Sequence, residues 1–115
     1  MFEEMCCRPI VDGRKKAQTA LALMRSRYSA FYWGDAAHLN RTQLNGRVED
    51  DEPLFKVQWL GLTILSVEKG RAEDHEGRVE FAADFHQNGM SRRLREHSEF
   101  KKKDGHWIYV GPKSN

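Results

Sequence analysis

The spacing of apolar positions changes once along the chain, near Pro53. Before it the period is helical. Leu21, Met24, Tyr28 and Phe31 recur at intervals of three and four, which predicts one amphipathic helix opened by Thr19 as N-cap and closed at Gly34. Asp35 can cap a second short helix running through Leu39 towards Leu44. Asn45-Gly46 and the acidic run ending at Pro53 then break the chain into loop. After Pro53 the period becomes that of strands. Val57 to Val67 is apolar on both faces and predicts a strand covered on both sides. Val79, Phe81, Ala83 and Phe85 alternate with polar neighbours, as a half-buried strand requires. Asn88-Gly89 and Asp104-Gly105 are hairpin turns, so strands from Ser91 to about Lys102 and from Trp107 to Val110 complete an antiparallel meander. The expected fold is α+β: N-terminal helices on one face of a curved four-stranded antiparallel sheet, an open cone whose mouth can hold a ligand.

Composition adds bounds. With 115 residues, 39% hydrophobic and 31% charged, the chain forms one domain with a single core. Residues 1–18 read as an irregular arm, 19–111 as the domain and 112–115 as a tail. A net charge of +2 supplies no global field for nucleic acid or a membrane surface. Cys6 and Cys7 are adjacent and cannot staple a fold, which suits a reducing compartment. The longest nearly apolar run, Trp59 to Leu65, is far short of the roughly 20 residues of a bilayer span, and the N-terminus lacks a signal-peptide pattern. A cytoplasmic location is expected.

The candidate chemistry centres on the strand around Glu96. Alternation sets Leu94, Glu96, Ser98 and Phe100 on the inward face, so a carboxylate and a hydroxyl point into the cone. A buried carboxylate needs a partner. Arg25 and Arg27 are the candidates, but they lie about 200° apart around the helix, so only one can face in. Two readings follow. In one, an Arg–Glu pair fixes how the helix sits on the sheet. In the other, Glu96 is an acid or base in a polar pocket, with Arg25 or Arg27 as an anion clamp and Tyr28 and Ser98 as hydrogen-bonders. Trp33, Trp59, Trp107, Tyr32 and Tyr109 read as core or cleft wall. No histidine pair has the spacing of a helical metal site, and no phosphate loop or nucleophile elbow is present. His75, in the acidic loop Glu73 to Glu76, reads as solvated. Arg92 to Lys103 carries six basic residues against two acidic ones. No stacking platform accompanies them, so a charged strand edge is expected rather than nucleic-acid binding.

Several blocks resemble the YchJ family of small bacterial proteins: Ala22-Leu23-Met24-Arg25-Ser26-Arg27-Tyr28-Ser29-Ala30-Phe31 with Gly34-Asp35, Trp59-Leu60-Gly61-Leu62, Gly77-Arg78-Val79-Glu80-Phe81, Leu94 to Phe100, and Gly105 to Val110. The resemblance covers about residues 6 to 110. It implies a nuclear transport factor 2-like domain, a cystatin-like cone, and supplies no activity. Members of that family usually begin with a zinc-binding SEC-C motif. Cys6-Cys7 is similar to its trailing pair only, and a structural zinc needs four ligands, so no cofactor is expected unless an upstream Cys-x-Cys exists. The expectation is therefore a non-enzymatic module that binds a small ligand or a protein partner, with a homodimer through the sheet as one arrangement. The alternative is an isomerase, dehydratase or hydrolase that uses Glu96 as general base.

Overall fold

The computed structural model describes residues 9–13 and 15–113. Helix α1 spans Ala20–Trp33 and α2 spans Ala36–Arg41, followed by a short 3-10 turn over Pro53–Phe55. Four strands follow: β1 Gln58–Lys69, β2 Glu76–Gln87, β3 Met90–Lys103 and β4 His106–Pro112. They pair antiparallel in the order β1-β2-β3-β4.

The local signals act as their chemistry requires. Thr19 Oγ1 accepts the Ala22 N–H at 3.0 Å, which satisfies one free donor of the first turn of α1. Gly34 closes the helix at φ 73°, and Asp35 Oδ1 takes the His38 N–H to start α2. Asn88-Gly89 and Asp104-Gly105 both have positive φ at each residue, the geometry whose twist matches the strands they join. These turns fix the registers Gln87↔Met90 and Lys103↔His106, and with them the faces of β3 and β4.

Helix α1 lies across the concave face of the sheet. Ala17, Ala20, Leu23 and Met24 pack on Val79, Phe100 and Trp107, while a second cluster of Trp59, Ala83 and Phe85 meets Tyr28 and Phe31. The buried stripe of α1 differs from the predicted one. Leu21, Tyr28 and Phe31 are only half-buried, whereas Ser26, Arg27 and Ser29 are buried. The reason is a second cover: α2 packs against α1 on its polar side, and His38 of α2 bonds to Ser26.

Strand β1 corrects the other expectation. It is an edge strand, and Leu60, Leu65 and Val67 are exposed. Trp59, Leu62, Ile64 and Val67 pair with Phe85, Ala83, Phe81 and Val79, and the register shifts between Trp59 and Gly61 and again between Ile64 and Ser66. Leu60 and Leu65 are the residues left without a partner at these shifts. Each extra residue resets the alternation, so a strand apolar along both phases presents one apolar face.

Candidate functional site

Between α1 and the sheet lies a cavity of about 160 Å³, walled chiefly by apolar and aromatic side chains from α1, β1, β2 and β3. Tyr28 meets Trp59 edge-on, with ring centroids 5.5 Å apart, and Trp59 packs on Phe85 at 5.2 Å. The Trp59 indole N–H donates to the Leu54 carbonyl at 3.0 Å, which pins the ring as a wall. Glu96, Ser98, Arg27 and Tyr109 form the polar end.

The geometry there answers the question of the Glu96 partner. Glu96 Oε2 accepts the Ser98 hydroxyl at 2.6 Å and the Tyr109 phenol at 2.5 Å. Among the described residues no hydrogen bond reaches its other oxygen, Oε1. Burial, followed by the bond to Glu96, pushes the Tyr109 phenol well above its ordinary pKa and keeps it a donor. Arg27 faces inward, and Arg25 lies on the exposed side of α1, away from the cavity.

Arg27 does not pair with Glu96. Its NH1 donates to the Leu39 carbonyl at 3.0 Å and to Thr42 Oγ1 at 2.8 Å, and its NH2 donates to Gln43 Oε1 at 2.9 Å. The guanidinium carbon stands 4.5 Å from the centre of the Tyr109 ring. Burial lowers its pKa to about 10, so it remains a cation at neutral pH. Arg27 thus ties α1 to the end of α2 and reaches Glu96 through the Tyr109 ring and its own field. The direct Arg–Glu pair anticipated from sequence is replaced by two hydroxyl donors and a neighbouring cation.

Of the residues singled out in the sequence, Arg27, Tyr28, Trp59, Glu96 and Ser98 all line this cavity, and Arg25 does not. Tyr109 is the Glu96 partner that sequence reasoning placed only as wall. Its role was recoverable: the two-residue Asp104-Gly105 turn forces Phe100 opposite Tyr109, on the same face as Ser98 and Glu96. Thr42 and Gln43 carried no comparable signal, because the loop that brings them to Arg27 is set by the bridge between Gln43 and Tyr109.

A second polar cluster resembles a Ser–His dyad but runs the other way. Arg41 NH2 lies 3.2 Å from His38 Nδ1, and His38 Nε2 lies 2.9 Å from Ser26 Oγ. Arginine can only donate, so Nδ1 accepts and Nε2 carries the proton given to Ser26. Ser26 in turn donates to the Leu23 carbonyl at 2.7 Å. The serine is an end of a donor chain, not a nucleophile with a base. Burial, with Arg41 and Arg27 nearby, lowers the His38 pKa to about 4.

The outward face of the sheet carries ion pairs: Arg93–Asp84 and Arg95–Glu80, each at 2.8 Å, and Arg78–Glu99 at 3.3 Å. The basic residues of β3 are thus partly neutralised where they stand. In the loop before β2, Asp74 bonds to Arg71. Cys6 and Cys7, and any zinc site built on them, lie outside the described residues. Among the described residues no three His, Cys, Asp or Glu side chains converge as metal ligands, and no helix is long and apolar enough to cross a membrane.

Comparison with known proteins agrees with this architecture. The family profile described as YchJ, middle nuclear transport factor 2-like domain, matches residues 19–112. A UPF0225 protein of Geobacter sulfurreducens is 38% identical over 111 residues, which span 91% of this chain and 69% of that protein. A UPF0225 protein of Chromobacterium violaceum is 41% identical over 110 residues, covering 91% and 82%. Among solved structures, a SEC-C motif containing protein from Rhodopseudomonas palustris superposes with a TM-score of 0.81 at 27% identity, covering 97% of this chain and 91% of that one. A SEC-C motif containing protein from Psychrobacter arcticus gives a TM-score of 0.77 at 25% identity, covering 97% and 72%.

Proposed function

The chain belongs to the YchJ family, and from that premise and the chemistry of the cone we propose that the domain is a small-molecule binding module. Its ligand is a compact, largely apolar molecule about the size of a single ring, carrying one O–H or N–H donor. The observation that carries this reading is the Glu96 carboxylate, which is held on Oε2 by Ser98 and Tyr109 and, among the described residues, has Oε1 left to meet a donor at the polar end of a mostly apolar cavity. Such a pocket, mostly apolar with few placed polar groups, is the usual form of a small-ligand site. A dry apolar cavity of about 150 Å³ holds benzene, so the volume here suits a ligand of that order.

Ligand binding accounts for the lining better than catalysis does. Chemistry at a lone general base also needs donors aimed at the charge that develops on the substrate. Among the described residues the lining holds no His, Cys, Lys or Asp, the Ser98 and Tyr109 hydroxyls are committed to Glu96, and Arg27 is tied to Leu39, Thr42 and Gln43. The test is a fragment screen by ligand- and protein-observed NMR, comparing ring compounds that bear an amine or hydroxyl with their methyl and carboxylate analogues. Donor-bearing rings are expected to shift the Trp59 indole and the Glu96 and Tyr109 amides, and Glu96→Gln is expected to weaken them about tenfold, the worth of one charge-assisted hydrogen bond. Hits that bind equally well to Glu96→Gln, or that prefer a carboxylate, refute the assignment.

A further inference from the structure

Away from the cone, a second concavity of about 360 Å³ opens between the N-terminal arm, α2 and the β3–β4 turn, and shares no lining residue with the first. Among the described residues, Lys15, Lys16, Arg41, Lys103 and His106 line it against a single carboxylate, Asp104. The three lysines and Arg41 are held differently from the paired arginines of the sheet and of the loop before β2. On the sheet and in the loop before β2, arginines rest on carboxylates: Arg93 on Asp84, Arg95 on Glu80, Arg71 on Asp74. In the cleft, Lys16 Nζ donates to the Gly105 carbonyl at 3.2 Å. Arg41 NH2 donates to the Val11 carbonyl at 2.9 Å and faces the neutral His38 Nδ1. A carbonyl orients a cation without cancelling its charge. Among the described residues no carboxylate forms a salt bridge with Lys15, Lys16, Arg41 or Lys103.

Lys15, Lys16, Arg41 and Lys103 are all exposed. Gly13 and Gly105 sit at φ 81° and 80°, and a Cβ at either would lie 3.6 Å from Arg41 NH2 or Lys16 Nζ respectively. Four cations from three segments, two of them pre-oriented, converge on one space where Asp104 is the one carboxylate among the described lining residues. A lone carboxylate ligand brings a single negative charge to four cations. A tetrahedral anion with several charged oxygens can accept from the NH1 of Arg41, whose NH2 is committed to Val11 and His38, and from point-charge lysines together. We propose that this cleft binds a small phosphoryl-bearing anion, of the pyrophosphate or phosphomonoester class, independently of the cone.

The experiment is a titration of the ¹⁵N-labelled full chain with sodium pyrophosphate at constant ionic strength. Orthophosphate, citrate and a single-stranded oligonucleotide serve as parallel arms. Saturable shifts confined to the amides of Gly13, Lys16, Arg41, Gly105 and His106 are expected, with pyrophosphate tighter than orthophosphate or citrate. The double variant Lys15→Gln, Lys103→Gln changes two exposed side chains and leaves the fold intact. It should weaken pyrophosphate about tenfold, as the loss of charge-assisted bonds implies. Shifts that stay linear or spread to Arg93 and Arg95 would overturn the proposal. So would citrate matching pyrophosphate, or a double variant that binds unchanged. An oligonucleotide that binds more tightly per phosphate would make nucleic acid the occupant and overturn the small-anion assignment.

Discussion

Acidification between pH 7 and pH 5 should weaken this fold through one residue, His38. The side chain is 2% exposed, gives its Nε2 proton to Ser26 and accepts from Arg41 on Nδ1. Protonating Nδ1 would turn that acceptor towards a guanidinium and place a second charge beside Arg41 and Arg27, with only Asp35 in favour. Its folded-state pKa of about 4 lies below the ordinary 6.5, so the unfolded chain takes up the proton first. Stability from His38 is complete above pH 6.5, declines by about 1.4 kcal/mol per pH unit below that, and is spent near pH 4. The whole span is worth about 3 kcal/mol, and about 2 kcal/mol is lost by pH 5, a large part of the about 5–15 kcal/mol typical of a domain. Urea denaturation at pH 7 and pH 5 reads this as a fall in midpoint of about 1–2 M. Three carboxylates held low by arginines, Asp74, Glu80 and Asp84, also lose their contribution in acid, but only below their ordinary values of 3.8 to 4.5. The pH 7 to 5 interval therefore isolates the histidine. His38→Gln, which keeps an amide for Ser26, should lose some stability at pH 7 and most of the slope. If wild type and His38→Gln weaken equally over that interval, the buried neutral histidine is not the cause.

Other outcomes follow from single contacts. Gly77→Ala should cost more than about 2 kcal/mol in chemical denaturation, because its Cβ would meet Gly70 Cα at 2.4 Å, a backbone atom with nowhere to move. Ser29→Ala should be neutral or stabilising by thermal melt, since Ser29 Oγ is buried with no hydrogen-bond partner among the described residues and its removal ends that desolvation cost. Tyr109→Phe should cost about 1–2 kcal/mol through the lost phenol bond to Glu96, while the ring stays beneath Arg27; an unchanged denaturation midpoint would show that the bond contributes nothing.

What could be read from the residues alone was whatever chemistry acts over a few positions. Thr19, Gly34 and Asp35 mark helix ends because capping is a contact within one turn. Asn88-Gly89 and Asp104-Gly105 set two hairpin registers, and with period-two alternation they place Glu96, Ser98 and Phe100 on the concave face. Family membership followed from blocks of the same kind, and it carried the fold without an activity.

The tertiary structure decided whatever depends on two segments meeting. Leu60 and Leu65 look like core in a run apolar on both phases; only pairing with β2 shows that each sits at a register shift on the open edge. Arg25 and Arg27 are equivalent in the chain. The packing of α2 chooses Arg27 by supplying the Leu39 carbonyl, Thr42 and Gln43, and so leaves Glu96 to the hydroxyls of Ser98 and Tyr109. Lys16 and Gly105 are distant in sequence and adjacent in the cleft. Local propensity is written residue by residue, whereas burial and electrostatic balance are properties of the assembled neighbours, and no reading of one segment contains them.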